Sequence, residues 1–174
     1  MLLTREALIL VFTLSGISLK LADIYGERGR GYVFSVVSAV GMGTLISDSP
    51  LSSSMVLGII VGVVLAGKVD RPNLVVGLGL TLVVSAVLGF NIPDFALLAI
   101  IALAALIDEV GHDRVTSRGI LGKFFRIRMV LKAVVVVLTV LGLIDVIHCA
   151  GFLSFDVVYE VTNTVWFCGK KEKS

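Results

Sequence analysis

The chain is short of nearly everything a soluble domain uses to stay in water. Charged residues fill 16% of its 174 positions, whereas 57% are hydrophobic and the mean hydropathy is +1.04. So small a polar complement cannot cover a water-soluble fold of this size, which excludes that class. Glutamine is absent and asparagine occurs only at 73, 91 and 163, a scarcity of heat-labile amides of the kind seen in thermophilic proteins. The two cysteines, Cys149 and Cys168, stand at opposite ends of one apolar run. At about 28 Å apart by helical rise, they cannot pair within one chain. The net charge of +2 is too slight to mark a nucleic-acid partner, and the basic residues lie where they suit anionic lipid headgroups better.

What is present is a succession of apolar runs: roughly 6–24, 32–46, 51–67, 73–89, 94–107, 129–147 and 149–167. Several approach the length a helix needs to cross a hydrocarbon layer of about 30 Å. Lys and Arg occupy every second gap: Lys20, Arg28 and Arg30; Lys68 and Arg71; Arg114, Arg118, Lys123, Arg126, Arg128 and Lys132; and the tail with Lys170, Lys171 and Lys173. Only Arg5 breaks the alternation. Basic loops stay on the cytoplasmic side, so the pattern predicts an all-α, polytopic membrane protein of about seven transmembrane helices, amino terminus outside and carboxyl terminus inside. The first run ends in Lys20 and Asp23 without a cleavage site and is read as a helix rather than a signal peptide. The expectation is one transmembrane helical domain over 1–174 in the cell membrane, with room for a homo-oligomer or a partner membrane subunit.

Turn residues punctuate the runs. Ser47 to Pro50 and Asn91 to Pro93 form tight turns, with Ser52 to Ser54 available to cap the helix that follows, and short turns predict that successive helices lie side by side. Gly58, Gly62 and Ala66 recur every fourth residue and invite a close neighbour, for which Gly41 with Gly43 or Gly77 with Gly79 could supply the facing surface. The one long connection holds an amphipathic stretch at about 116–128, suited to lying along the inner membrane surface.

Two groups of residues carry possible chemistry. In the seventh run Asp156 and Glu160 are four apart, hence on one helical face, which Asn163 continues. A carboxylate this deep costs about 2.5 to 3.5 kcal/mol on insertion scales, so the pair needs either a partner or a task. Burial and mutual repulsion would let the two acids hold a proton between them as general acid and base. The competing reading is a polar lock in which they pair with Lys20, Arg28 or a helix-end hydroxyl. At the end of the fifth run Asp108, Glu109, His112 and Asp113 fall within one turn and offer oxygen and imidazole ligands to Mg, Mn or Zn. The competing reading there is a solvated helix end paired with Arg114.

Glu109 and His112 also resemble half of the Glu-x-x-His pairing of di-iron bundles, but the second copy and the further glutamates are missing, so no function is carried over. Also missing are the Gly-x-Gly-Asp of membrane aspartyl proteases, the Gly-x-Ser-Gly of rhomboid type, a Walker loop, His-Glu-x-x-His and the paired-aspartate pattern of CDP-alcohol phosphotransferases. With the two histidines expected on opposite sides, no Ser, His and acid set is expected either. Asp23, Asp70, Asp108 and Asp113 gather beside Lys and Arg at one membrane face, a mixture suited to metal-held phosphate. The sequence therefore points to a small membrane-embedded enzyme of lipid metabolism, acting at the cytoplasmic face on a lipid-linked or isoprenoid phosphate with a divalent cation. In it Lys20, Arg126 and Arg128 would contact phosphate. The alternatives are proton- or cation-coupled transport through Asp156 and Glu160, and a non-catalytic scaffold subunit.

Overall fold

The computed structural model describes residues 2–27, 29–114, 124 and 127–171, with side chains described as far as 163. Seven helices occupy most of this: α1 (Arg5–Tyr25), α2 (Gly29–Asp48), α3 (Pro50–Leu65), α4 (Pro72–Leu88), α5 (Phe95–Arg114), α6 (Met129–Val140) and α7 (Val146–Lys171). No strand occurs among the described residues. The helix boundaries follow local chemistry. Thr4 and Ser49 accept backbone N–H bonds at the starts of α1 and α3, and Pro opens α3 and α4. The expected interfacial stretch at 116–128 lies largely outside the described residues.

The sixth run departs from expectation. It breaks at Val140 instead of continuing to 147, because Gly142 adopts φ 74° and the Leu143 N–H returns to the Leu138 carbonyl at 2.9 Å. Asp145 then caps α7 by accepting the His148 N–H at 2.8 Å. Averaged hydropathy does not register a single glycine in the left-handed region.

Polarity is inverted relative to a soluble protein. Ser35, Ser38, Ser47, Asp48, Asn73, Thr81, Ser85, Asp108, Glu109 and Asp156 are buried, while Val87 and Val140 are 79% and 81% exposed. An apolar exterior of this extent suits contact with lipid. By length and composition α1, α2 and α5 can each cross a membrane; α3, α4 and α6 are apolar but shorter. These features support membrane association.

Alongside the consecutive α1 and α2, the closest packing joins helices that are not neighbours in sequence: α1 with α7, α2 with α4, and α3 with α5. These pairs run parallel, as their registers show. Gly58 and Gly62 of α3 face Ile101 and Ala105 of α5, and Gly16 and Phe155 meet between α1 and α7. A Cβ on Gly16 would come within 2.5 Å of the Phe155 carbonyl oxygen, and one on Gly62 within 2.6 Å of the Ala102 carbonyl oxygen, so both helix pairs depend on the missing side chain. The glycine stripe of α3 thus packs on α5, not on the glycines of α2 or α4. Side-by-side succession holds for α1 to α2, α2 to α3, α5 to α6 and α6 to α7; α3 and α4 are not substantially packed on each other, and neither are α4 and α5.

Candidate functional site: a cavity at the charged end

Because α4 pairs with α2 while α3 pairs with α5, the bundle leaves a space between them. A cavity of about 380 Å³ fills it, within the ordinary range for ligand sites of about 300 to 1,000 Å³. Its two ends differ. Lys20, Asp23, Lys68, Asp70, Arg71, Glu109, His112, Arg128 and Tyr159 surround the end near the α1/α2 and α3/α4 connections. Deeper in, the lining turns to residues such as Ala39, Met42, Ile59, Ile60, Leu78 and Thr81.

The charged rim is held by linked ion pairs. Lys20 Nζ lies 2.9 Å from Asp23, whose other carboxylate oxygen is 3.0 Å from Arg71 Nη1. Arg71 also donates to the main-chain carbonyl of Asp23, tying the start of α4 to the end of α1. Lys68 meets Asp113 at 2.6 Å, joining the ends of α3 and α5. Arg128 Nη2 meets the buried Glu109 at 2.6 Å. Arg128 takes the left-handed conformation at φ 48°, which costs a non-glycine residue about 1 to 2 kcal/mol, so its position is imposed by these surroundings.

Tyr159 is the functional candidate that sequence reasoning missed. Lys20 Nζ stands 4.8 Å and Arg128 Cζ 5.1 Å from its ring centroid, so the ring organises the two cations through cation–π contact. The one available signal was its place on α7, three residues after Asp156.

The acids of α7 have found a cation. Lys132, in the first turn of α6, lies 2.7 Å from Asp156 and 2.8 Å from Glu160. The acids pair with a cation, as one reading of the sequence expected, but the cation is Lys132 and not Lys20 or Arg28. Lys132 belongs to the basic cluster of the long connection by sequence; the antiparallel run of α6 against α7 brings it inward. A space of about 30 Å³, room for about one water, separates this group from Glu109 and Arg128.

The proposed metal ligands are dispersed. Asp108 accepts the N–H groups of Val130 and Leu131 at 3.1 and 2.7 Å, capping the start of α6 from a different helix. Glu109 is held by Arg128 and Asp113 by Lys68; His112 and Glu109 line the cavity. Among the described residues no three His, Cys, Asp or Glu side chains stand close enough to hold a metal ion. As arranged, the four do not fit a metal site. Arg126 lies outside the described residues.

The opposite end holds a set that the sequence was not expected to contain. His148 Nδ1 lies 2.8 Å from Asp145, and Nε2 lies 2.9 Å from Ser52 Oγ. The order is that of a hydrolase relay. Yet Ser52 and His148 are buried, and neither cavity described above reaches them. The trio works as a clamp between the start of α7 and the start of α3.

No family model, curated protein or solved structure matches this chain.

Proposed function

We propose that the chain is a multi-pass membrane protein whose seven helices all cross the bilayer, amino terminus outside, and whose cavity binds a lipid-linked or isoprenoid phosphate at the cytoplasmic face as part of an enzymatic reaction. The observation that carries this reading is the cavity's polarity: cations at the rim and apolar walls within. Arg71 and Lys68 are partly exposed and can turn from their carboxylates to a phosphate, to which arginine binds with paired hydrogen bonds. Tyr159 and His112 stand at the same rim as proton carriers. The orientation follows from the basic loops beside the cavity mouth. The shorter helices are accommodated by local thinning of the bilayer.

A second reading, proton- or cation-coupled transport, is favoured by one observation: Asp156 and Glu160 share a single ammonium inside the bundle.

Binding tests the first reading. Purified protein in detergent should take up hexadecyl phosphate saturably, and Lys20→Gln with Arg71→Gln should weaken it at least tenfold while the variant still melts cooperatively. Lack of saturable uptake, or an unaltered affinity in the double variant, contradicts it. For orientation, cysteines at Ile92 and Leu143, in a background without Cys149 and Cys168, should react with an impermeant reagent from outside and one at Gly67 should not. The reverse pattern contradicts the orientation.

A further inference from the structure

The cavity has a missing wall. α4 packs on α2 and touches α1, α3 packs on α5 and α2, and α3 and α4, linked by the connection 66–71 at the charged end, have no substantial packing on each other. Below that connection, the partly buried Ile60 and Val63 of α3 and Leu74 and Leu78 of α4 line the same space from its two sides. Just outside them Val64 and Val76 are exposed, so the crevice borders the apolar exterior directly.

The depth of this space suits a chain. From Arg71 to Thr81 the cavity follows α4 for ten residues, about 15 Å, or half of a hydrocarbon layer of about 30 Å. Its few inner hydroxyls are already engaged with protein groups. Thr81 donates to the Gly77 carbonyl at 2.9 Å, Ser38 donates to the Ser15 carbonyl at 3.3 Å, and Ser35 Oγ accepts from Asn73 at 3.3 Å. Charge is confined to the rim, where Lys20, Arg71 and Arg128 stand. A headgroup is therefore retained at the rim, and an apolar tail is the occupant that suits the mostly apolar interior.

Resting on the phosphate-lipid reading above, we propose that the ligand enters sideways from the membrane: its hydrocarbon chain passes between α3 and α4 and lies along Ile60, Leu74 and Leu78, while its phosphate stays at the rim. Access from the bilayer explains why two helices consecutive in sequence are left unpacked. It also defines the substrate class as a single long alkyl or isoprenyl chain bearing a terminal phosphate, rather than a water-soluble phosphate.

A hexadecyl phosphate carrying a diazirine at mid-chain tests this on the full chain in detergent. After photolysis, the modified peptides should map to 59–63 and 74–81, and excess hexadecyl phosphate should suppress the label whereas hexadecane should not. Leu78→Trp should fill the crevice and cut that label at least tenfold. Val76→Trp, on the exposed side of the same helix, should leave it within twofold. Suppressible labelling confined to α5, α6 or α7 would overturn lateral entry while leaving phosphate-lipid binding intact. Absence of any suppressible label together with no saturable uptake would remove the binding reading, and lateral entry with it.

Discussion

The two ends of this bundle are joined by different kinds of bond. At the charged end, Lys20, Asp23, Arg71, Lys68, Asp113, Arg128 and Glu109 link five elements by ion pairs around an open space. At the other end hydroxyls and amides bond to main chain: Ser47 to the Ser85 carbonyl at 3.2 Å, Asn91 to the Ser47 carbonyl at 2.6 Å, and Ser53 to the Asn91 carbonyl at 2.8 Å. Asp48 accepts the N–H groups of Leu2 and Leu3 at 2.6 and 2.7 Å. Bonds of fixed geometry to main chain close an end permanently. Ion pairs beside a cavity can be exchanged for a charged ligand, since one anion can replace another at an arginine. The difference assigns architecture to one end and recognition to the other.

The largest effect that would sharpen this contrast is expected at Lys132. Replacing it by Met takes the ammonium away from the buried Asp156, a loss of about 3 to 5 kcal/mol. Adding Asp156→Asn and Glu160→Gln should restore most of that stability, because no buried charge is then left alone. Melting temperatures in detergent check both; a triple variant as unstable as Lys132→Met would show that the acids are not what Lys132 serves. The Asp156 and Glu160 replacements without Lys132→Met separate the lock from a carrier site: a folded variant that binds hexadecyl phosphate normally but has lost transport would support the transport reading.

Asp108→Ala comes next. It leaves two N–H groups unpaired at the buried start of α6, at about 1 to 3 kcal/mol. Divalent-cation affinity should not change, since Asp108 is occupied as a cap. A tenfold drop in that affinity would return Asp108 to the role of ligand.

At the other end, Ser52→Ala removes the hydroxyl that meets both His148 and Ser49; it should cost about 1 to 2 kcal/mol and leave hexadecyl phosphate binding untouched. Weakened binding in that variant would break the division between the ends.

The smallest effect is a pH dependence at the same clamp. Burial pushes the Asp145 carboxyl up, but the His148 N–H and imidazole outweigh it and hold the group below the ordinary aspartate range. A depressed carboxyl stabilises the fold above its unfolded value, and that contribution disappears as pH falls through the folded value. Loss should therefore appear only below about pH 4, and Asp145→Asn should flatten the melting curve there. A slope between about pH 5 and 7 that Asp145→Asn removes would contradict the assignment.

Much of the fold was legible in the sequence. Apolar runs located all seven helices, because helix length and hydropathy are local properties, and the alternation of basic residues anticipated that Lys20, Lys68, Arg71 and Arg128 would share one end. Neighbour choice was not legible. Short turns suggested consecutive packing, but Gly16, Gly58 and Gly62 permit close approach by parallel helices two or more elements away, and sequence spacing does not say which. The site was legible in part. Lys20, Glu109, His112 and Arg128 do line the cavity, whereas Asp108 and Asp113 are engaged by an α6 helix start and by Lys68. Tyr159 and the pairing of Lys132 with two acids depend on where α7 lies against α1 and α6, which is tertiary information. The stop at Gly142 was written in one residue that apolar averaging hides.

The contrast between the ends is tested most directly by hydrogen exchange of the detergent-solubilised protein with and without saturating hexadecyl phosphate. Backbone amides at 20–26 and 66–74 should be protected by the ligand, and those at 47–54 and 142–148 should exchange as before. Equal protection at both ends, or protection at 47–54 and 142–148 alone, would contradict the assignment of recognition to the charged end.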